Sequence, residues 1–125
     1  MKYFYALICL TFCLVSPATV DIMPKAAFDL VQKAQAILLD VREEAEISES
    51  GKAQGAVVLP MSEVNSGSAL YQNAIKKLPT DKTIIVYCKS GRRAQAFIDK
   101  HAKTPFRFRN MGAFADWLNA GLPVE

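Results

Sequence analysis

Apolar residues change their spacing along this chain in a way that alternates helix with strand. Pro24 suits the first turn of a helix, and Ala27, Leu30, Val31 and Ala34 then recur at i, i+3, i+4 and i+7 on one face. Ile37-Leu38-Leu39-Asp40-Val41 is an apolar run of strand length. The polar stretch from Arg42 to Gln54 reads as a loop, Val57-Val58-Leu59 as a strand stopped by Pro60, and Ser62 to Ser68 as another loop. A helix is predicted from about Ala69 to Lys77, with Tyr71, Ala74, Ile75 and Leu78 on one side. Thr83-Ile84-Ile85-Val86-Tyr87 is the strongest strand signal, and its unbroken apolar character predicts burial on both faces. Ala94, Phe97, Ile98 and Ala102 mark a further helix after a short loop from Cys88 to Arg92. Phe106-Arg107-Phe108-Arg109 alternates with period two, and a last helix bears Phe114, Trp117 and Leu118 before Gly121 and Pro123.

Strands separated by helices imply right-handed crossovers and a largely parallel sheet covered on both faces, an α/β fold. Sites in such sheets lie beyond the carboxyl ends of the strands. Two strand ends carry polar residues: Asp40 with Arg42, and Cys88. The pattern predicts that they share one crevice.

The 125 residues suffice for one modest core. Met1 and Lys2 make a positive start, an apolar run follows from Tyr3 to Val15, and Ser16-Pro17-Ala18 places small residues where a signal peptidase reads. This predicts a secretory signal over residues 1–18, cleaved after Ala18, and a single exported, periplasmic domain over residues 19–125. The apolar run is shorter than the roughly 20 residues that span a bilayer. No membrane association is expected after cleavage. The net charge of +3 is slight and evenly spread, which argues against nucleic acid or an anionic membrane as partner.

Of the three cysteines, Cys9 and Cys13 leave with the leader, so Cys88 has no disulfide partner in the mature chain. An unpaired cysteine in an oxidising compartment is a liability unless buried or used. Cys88-Lys89-Ser90-Gly91-Arg92-Arg93 stands between the central strand and a helix start. Successive backbone N–H groups in such a loop converge on an anion, and the helix adds its positive end. Gly91 lets the backbone fold tightly, and Lys89, Arg92 and Arg93 add positive charge. The loop suits an anionic sulfur, and equally an oxyanion above it.

Cys88-x-x-Gly91-x-Arg93 resembles the active-site loop of the rhodanese family of sulfurtransferases. Three further segments resemble that family in the expected order. They are Leu38 to Arg42 followed by Glu46, Gly55 to Pro60, and Asn110 to Trp117 with Gly121 to Val124. The resemblance implies a five-stranded, mostly parallel sheet with helices on both faces. It also implies a ping-pong reaction. Cys88 takes sulfane sulfur from thiosulfate or a similar small anionic donor, becomes a persulfide, and passes the sulfur to a thiophilic acceptor such as cyanide or a thiol, protein thiols included. In that scheme the backbone N–H groups from Lys89 to Arg93, Ser90 and Gly91 among them, hold the persulfide. Lys89 and Arg92 bind the donor, Arg93 braces the loop, and Asp40 and Arg42 hold neighbouring loops by hydrogen bonds and an ion pair. The chain departs from the family at Lys52, where His is frequent after the glycine, and at Met111-Gly112, where two glycines are common.

Two rivals follow from the same loop. Cysteine phosphatases place arginine six positions after the cysteine; that position is Ala94, and Tyr87 precedes the cysteine where tyrosine phosphatases carry His. A shorter loop favours a sulfur atom over a tetrahedral phosphate. The other rival is a module that carries persulfide to a partner, or binds one, without turnover. A thiol redox role ranks low without a Cys-x-x-Cys pair. His101, alone on a helix edge, reads as structural, and no metal, nucleotide or flavin motif is visible, so no metal or cofactor is expected. Glu43, Glu44, Glu46 and Glu49 read as a solvated loop face with Glu46 placed to pair with Arg42, and Trp117 reads as core.

Overall fold

A computed structural model describes residues 19–125; the leader assigned to residues 1–18 lies outside the described residues. Strands β1 (Ala36–Asp40), β2 (Val57–Val58), β3 (Thr83–Cys88) and β4 (Arg107–Ala113) form one parallel sheet in the order β2-β1-β3-β4. The β-branched run of β3 therefore lies inside the sheet, paired on both edges, and Ile84 to Cys88 is fully buried. Its side chains alternate between two cores. Ile85 and Tyr87 pack with Leu38, Met111, Phe114 and Trp117 under helices α1 (Pro24–Gln32) and α6 (Phe114–Asn119). Ile84, Val86 and Cys88 pack with Leu39, Val41, Val64 and Phe97 on the opposite face. Helices α3 (Met61–Ser66), α4 (Ala69–Lys77) and α5 (Arg92–Lys100) cover that face.

Four strands, not the expected five, make up the sheet among the described residues. The segment beside β4 starts a ladder and does not continue it. The Asp21 N–H donates to the Asn110 carbonyl at 2.8 Å, but the Asn110 N–H turns to the Asp21 carboxylate at 3.0 Å. Pro24 then opens α1 at once. At the other end of the chain, Val124 makes a single antiparallel bridge to Ala53.

Two segments read as loops are helical. Helix α2 (Glu44–Ser50) is held at its start by a capping box in which the Glu43 and Glu46 carboxylates each take a backbone N–H of the other's end. Helix α3 begins directly after Pro60 and ends at Gly67 in the left-handed conformation. Both are too short and too polar to show a helical period.

Ala34, expected on the apolar face of α1, lies beyond its end with φ +56°. The Ala34 N–H donates to the Val31 carbonyl and the Gln35 N–H to the Leu30 carbonyl, the paired bonds that usually close a helix on glycine. An L-residue in that conformation costs roughly 1–2 kcal/mol, partly offset by the lower chain entropy of alanine against glycine. Ala34→Gly is expected to stabilise the domain by about 0.5–1 kcal/mol. A higher urea midpoint at unchanged slope is the measurement that checks it.

Candidate active site

Parallel pairing sets Asp40 of β1 opposite Tyr87 of β3, so both expected strand ends reach the same edge of the sheet. Their side chains leave on different faces. Asp40 and Arg42 lie on the side of Tyr87 and Phe114, while Cys88 points toward α5.

Asp40 is fully buried and Arg42 is 3% exposed. The Arg42 guanidinium donates from Nε to Asp40 Oδ1 at 3.0 Å and from Nη2 to Oδ2 at 2.7 Å. The remaining donors reach the Ser50 hydroxyl and the Gly51 carbonyl, both at 2.8 Å, at the end of α2. The cation lies 4.1 Å from the Phe114 ring centre and 5.8 Å from that of Tyr87. Tyr87 in turn accepts the Ala53 N–H on its hydroxyl at 3.0 Å; burial, with the Asp40 carboxylate beside it, pushes that hydroxyl far above its ordinary range. Arg42 thus joins the ends of β1, α2, β3 and α6. Its partner is Asp40, and Glu46 pairs elsewhere.

Arg93 takes Glu46. Its two terminal nitrogens donate to the two carboxylate oxygens at 2.6 and 2.7 Å. The Arg93 hydrogen bonds hold the Glu46 carboxyl at about 2, against the opposing effect of burial. This fork ties the first turn of α5 to α2, and it engages the one arginine of the loop's helix end that is not exposed.

The Cys88 thiol is free and buried. The Gly91 N–H donates to its Sγ at 3.0 Å. Of the loop's backbone groups, this is the one seated on the sulfur. Gly91 has φ +89°, which an L side chain rarely adopts, and α5 starts at the next residue. Asn110, quoted in the sequence only as part of a motif, proves to position this turn. It is fully buried, donates to the Gly91 carbonyl at 3.1 Å, and accepts the Gly112 N–H at 2.8 Å. An extra residue, Met111, opposite the Val86–Tyr87 step of β3 marks the bulge that makes this contact local. No periodicity could have exposed Asn110; a buried amide inside an apolar strand end is the only signal.

Lys89, Ser90 and Arg92 are exposed. Lys89 forms part of the wall of a cavity of about 240 Å³. The other walls are Arg42, Glu46 and Glu49 on one side and Phe114 and Leu118 on the other. Arg92 lies outside that lining, and Ser90 Oγ accepts only a long 3.4 Å bond from the Arg92 N–H. Cys88 is adjacent to the cavity through Lys89 rather than open to it. His101 is structural in this geometry: its Nδ1 meets the Phe97 carbonyl at 2.7 Å, which leaves Nε2 to accept from the Tyr71 hydroxyl at 2.6 Å.

A family model described as the Rhodanese-like domain matches residues 23–120. A thiosulfate sulfurtransferase GlpE of Actinobacillus succinogenes is 33% identical over 111 residues, spanning 86% of this chain and 92% of the relative. A second thiosulfate sulfurtransferase GlpE, from Glaesserella parasuis, is 26% identical over 109 residues, 84% of this chain and 92% of the relative. The crystal structure of a rhodanese-related protein from Thermoplasma volcanium superposes with a TM-score of 0.69 at 23% identity, over 86% of this chain and 98% of the other. That last likeness concerns the fold.

Two outcomes follow from the ion pairs. Asp40→Asn leaves the buried Arg42 cation uncompensated and is expected to cost about 3–5 kcal/mol, read as a lower urea midpoint. Glu46→Gln is expected to cost about 1 kcal/mol at neutral pH, since the pair is part exposed. Glu46 is more acidic folded than unfolded, so its contribution is complete above about 4.5 and is lost as the pH falls toward about 2. Stability curves of the two proteins must therefore converge between those values; curves that stay parallel refute the role of the pair.

Proposed function

The chain belongs to the rhodanese-like domain family, and on that premise we propose that it is a sulfurtransferase working through a persulfide on Cys88. The observation that carries this reading is the sulfur's seat: a buried, unpaired thiol at the end of the central strand, with the Gly91 N–H on Sγ and the start of α5 behind it. A negative sulfur in that seat is stabilised by the amide and by the helix end.

The reaction has two halves. The Cys88 thiolate attacks the outer sulfur of thiosulfate; the S–S bond of the donor breaks and sulfite departs with the electron pair. A thiophile, cyanide or a thiolate, then attacks the outer sulfur of the persulfide, and Cys88 leaves as thiolate. Both halves are displacements at sulfur and need no added oxidant or cofactor. Lys89, beside the cysteine on the cavity wall, supplies positive charge toward an anionic donor. Arg42 and Arg93 are engaged with Asp40 and Glu46 and act by holding the walls. Similarity to thiosulfate sulfurtransferases at 26–33% identity supports the donor class.

The phosphatase reading loses further ground here. An arginine that forks onto phosphate must face the loop, and Arg93 faces Glu46. We further propose that the leader over residues 1–18 directs export to the periplasm, where Cys88 has no disulfide partner in the mature domain.

Incubation with thiosulfate followed by intact-mass spectrometry is expected to show one added sulfur, removed by cyanide and absent in Cys88→Ser. No adduct with any sulfane donor overturns the reading. An adduct without turnover from thiosulfate to cyanide turns it toward a carrier that delivers sulfur to a partner.

A further inference from the structure

We infer that the groove between helix α4 and the free edge of the sheet binds a free fatty acid, its carboxylate on Lys77 and its hydrocarbon chain along Leu70, Val57 and Val58. The groove shares no lining residue with the cavity beside Cys88, so this site is independent of the sulfur chemistry.

Strand β2 pairs only with β1, and its other side ends the sheet. Beside that edge lies a groove of about 610 Å³. One wall is a single stripe of α4, because Leu70, Asn73, Ala74 and Lys77 recur at i, i+3, i+4 and i+7. The facing wall is Ile37 of β1 with Val57 and Val58 of β2. No residue of α4 is fully buried, and Leu70 and Val57 are 52% and 44% exposed. The fold thus leaves between these walls an apolar channel that its own side chains do not fill.

Charge selects the occupant. Lys77 is the one charged side chain in the lining, which holds no carboxylate, and among the described residues it makes no ion pair. Lys76 stands next to it in the last turn of the helix. Asn73, one turn earlier on the same stripe, adds an amide. The groove is therefore apolar toward Leu70 and cationic toward Lys77, about 10 Å apart along the helix. An apolar chain with a single anionic head is complementary to both ends. The volume corresponds to roughly twenty waters at liquid density, room for an acyl chain of medium length.

Two other occupants fit less well. An added peptide strand gains affinity from a run of ladder hydrogen bonds, and β2 is two residues long with Pro60 close behind. A stable dimer needs about 1,200–2,000 Å² of buried surface in total, whereas the large exposed apolar side chains here are Leu70 and Val57. A two-fold contact through this patch also brings a lysine-ended rim against its own copy.

The test uses isothermal titration calorimetry on the full chain, with decanoate, hexanoate and 1-decanol below their aggregation limits. Full burial of a methylene is worth about fourfold in affinity, and a groove open on one side about twofold. Decanoate is therefore expected to bind about fifteenfold more tightly than hexanoate. Lys77→Met is expected to weaken decanoate about threefold and to leave decanol unchanged. Leu70→Asp puts a charge into the channel and is expected to weaken both ligands at least tenfold; a carboxylate in the first turn of α4 is compatible with the helix, and an unchanged urea midpoint checks that the fold is kept. Absence of saturable decanoate binding overturns the inference, as does binding that both substitutions leave unaltered. Equal loss of decanoate and decanol in Lys77→Met overturns it too. A dimer in solution that Leu70→Asp converts to monomer assigns the groove to a second copy of the chain, and likewise overturns it.

Discussion

A guanidinium sealed inside the sheet edge organises this domain. Arg42 is only 3% exposed, so its donors must be met almost entirely by protein, and Nε, both Nη2 protons and one Nη1 proton are met by Asp40, Ser50 and the Gly51 carbonyl. Those partners come from β1 and from the far end of α2, and the Phe114 ring that covers the cation comes from α6. A buried pair of this kind contributes little net stability, because desolvation offsets most of the attraction. What it does is restrict geometry: any displacement of α2 or α6 strands a charge. The short, polar α2 owes its fixed place to this, since none of its residues is fully buried.

The same logic extends to the cysteine. Arg93 is fixed to α2 through Glu46, so the helix that begins behind the sulfur is anchored to the helix that Arg42 anchors. Asn110 fixes the other side of the turn by holding the Gly91 carbonyl. With both flanks set, the Gly91 N–H has one direction available, and that direction is Sγ. The polar network is fully satisfied: among the described residues no buried side-chain nitrogen or oxygen lacks a partner. In the proposed reaction a negative sulfur would meet dipoles that are already aligned, so that their alignment costs nothing at that moment.

The elements that carry the core were legible in the sequence because burial imposes a period. All four strands and helices α1, α4, α5 and α6 follow from apolar spacing, and Ala69 to Lys77 coincides with α4. Helices α2 and α3 escaped because their order comes from caps and tertiary bonds rather than from an apolar face. The Glu43-x-x-Glu46 capping box was the one local signal for α2. The fifth strand came from resemblance alone, and a carboxylate that replaces a backbone partner, followed by a proline, removes it here. At the site, Cys88 and its loop were readable because their chemistry is contiguous in the chain. The Glu46–Arg93 fork, between residues 47 apart, and the Asn110 bond to Gly91, 19 apart, were not, because no local rule specifies a distant partner.

Why the proposed chemistry puts sulfur rather than phosphate on such a loop comes down to where its positive charge is allowed to act. A phosphoryl group brings several oxygens and two negative charges, and its transition state calls for a fork of donors facing into the loop. Here the one fork-shaped cation of the loop's helix start that is partly buried has both terminal nitrogens on the Glu46 carboxylate, leaving a backbone amide and a helix end on the sulfur. Those are weak, diffuse donors, suited to a large polarisable atom bearing a single charge. The same pair neutralises Glu46 on the cavity wall. A loop that relied on side-chain cations would hold every anion; one that relies on backbone leaves discrimination to the cavity walls, where single exposed residues can set it without disturbing the seat of the sulfur.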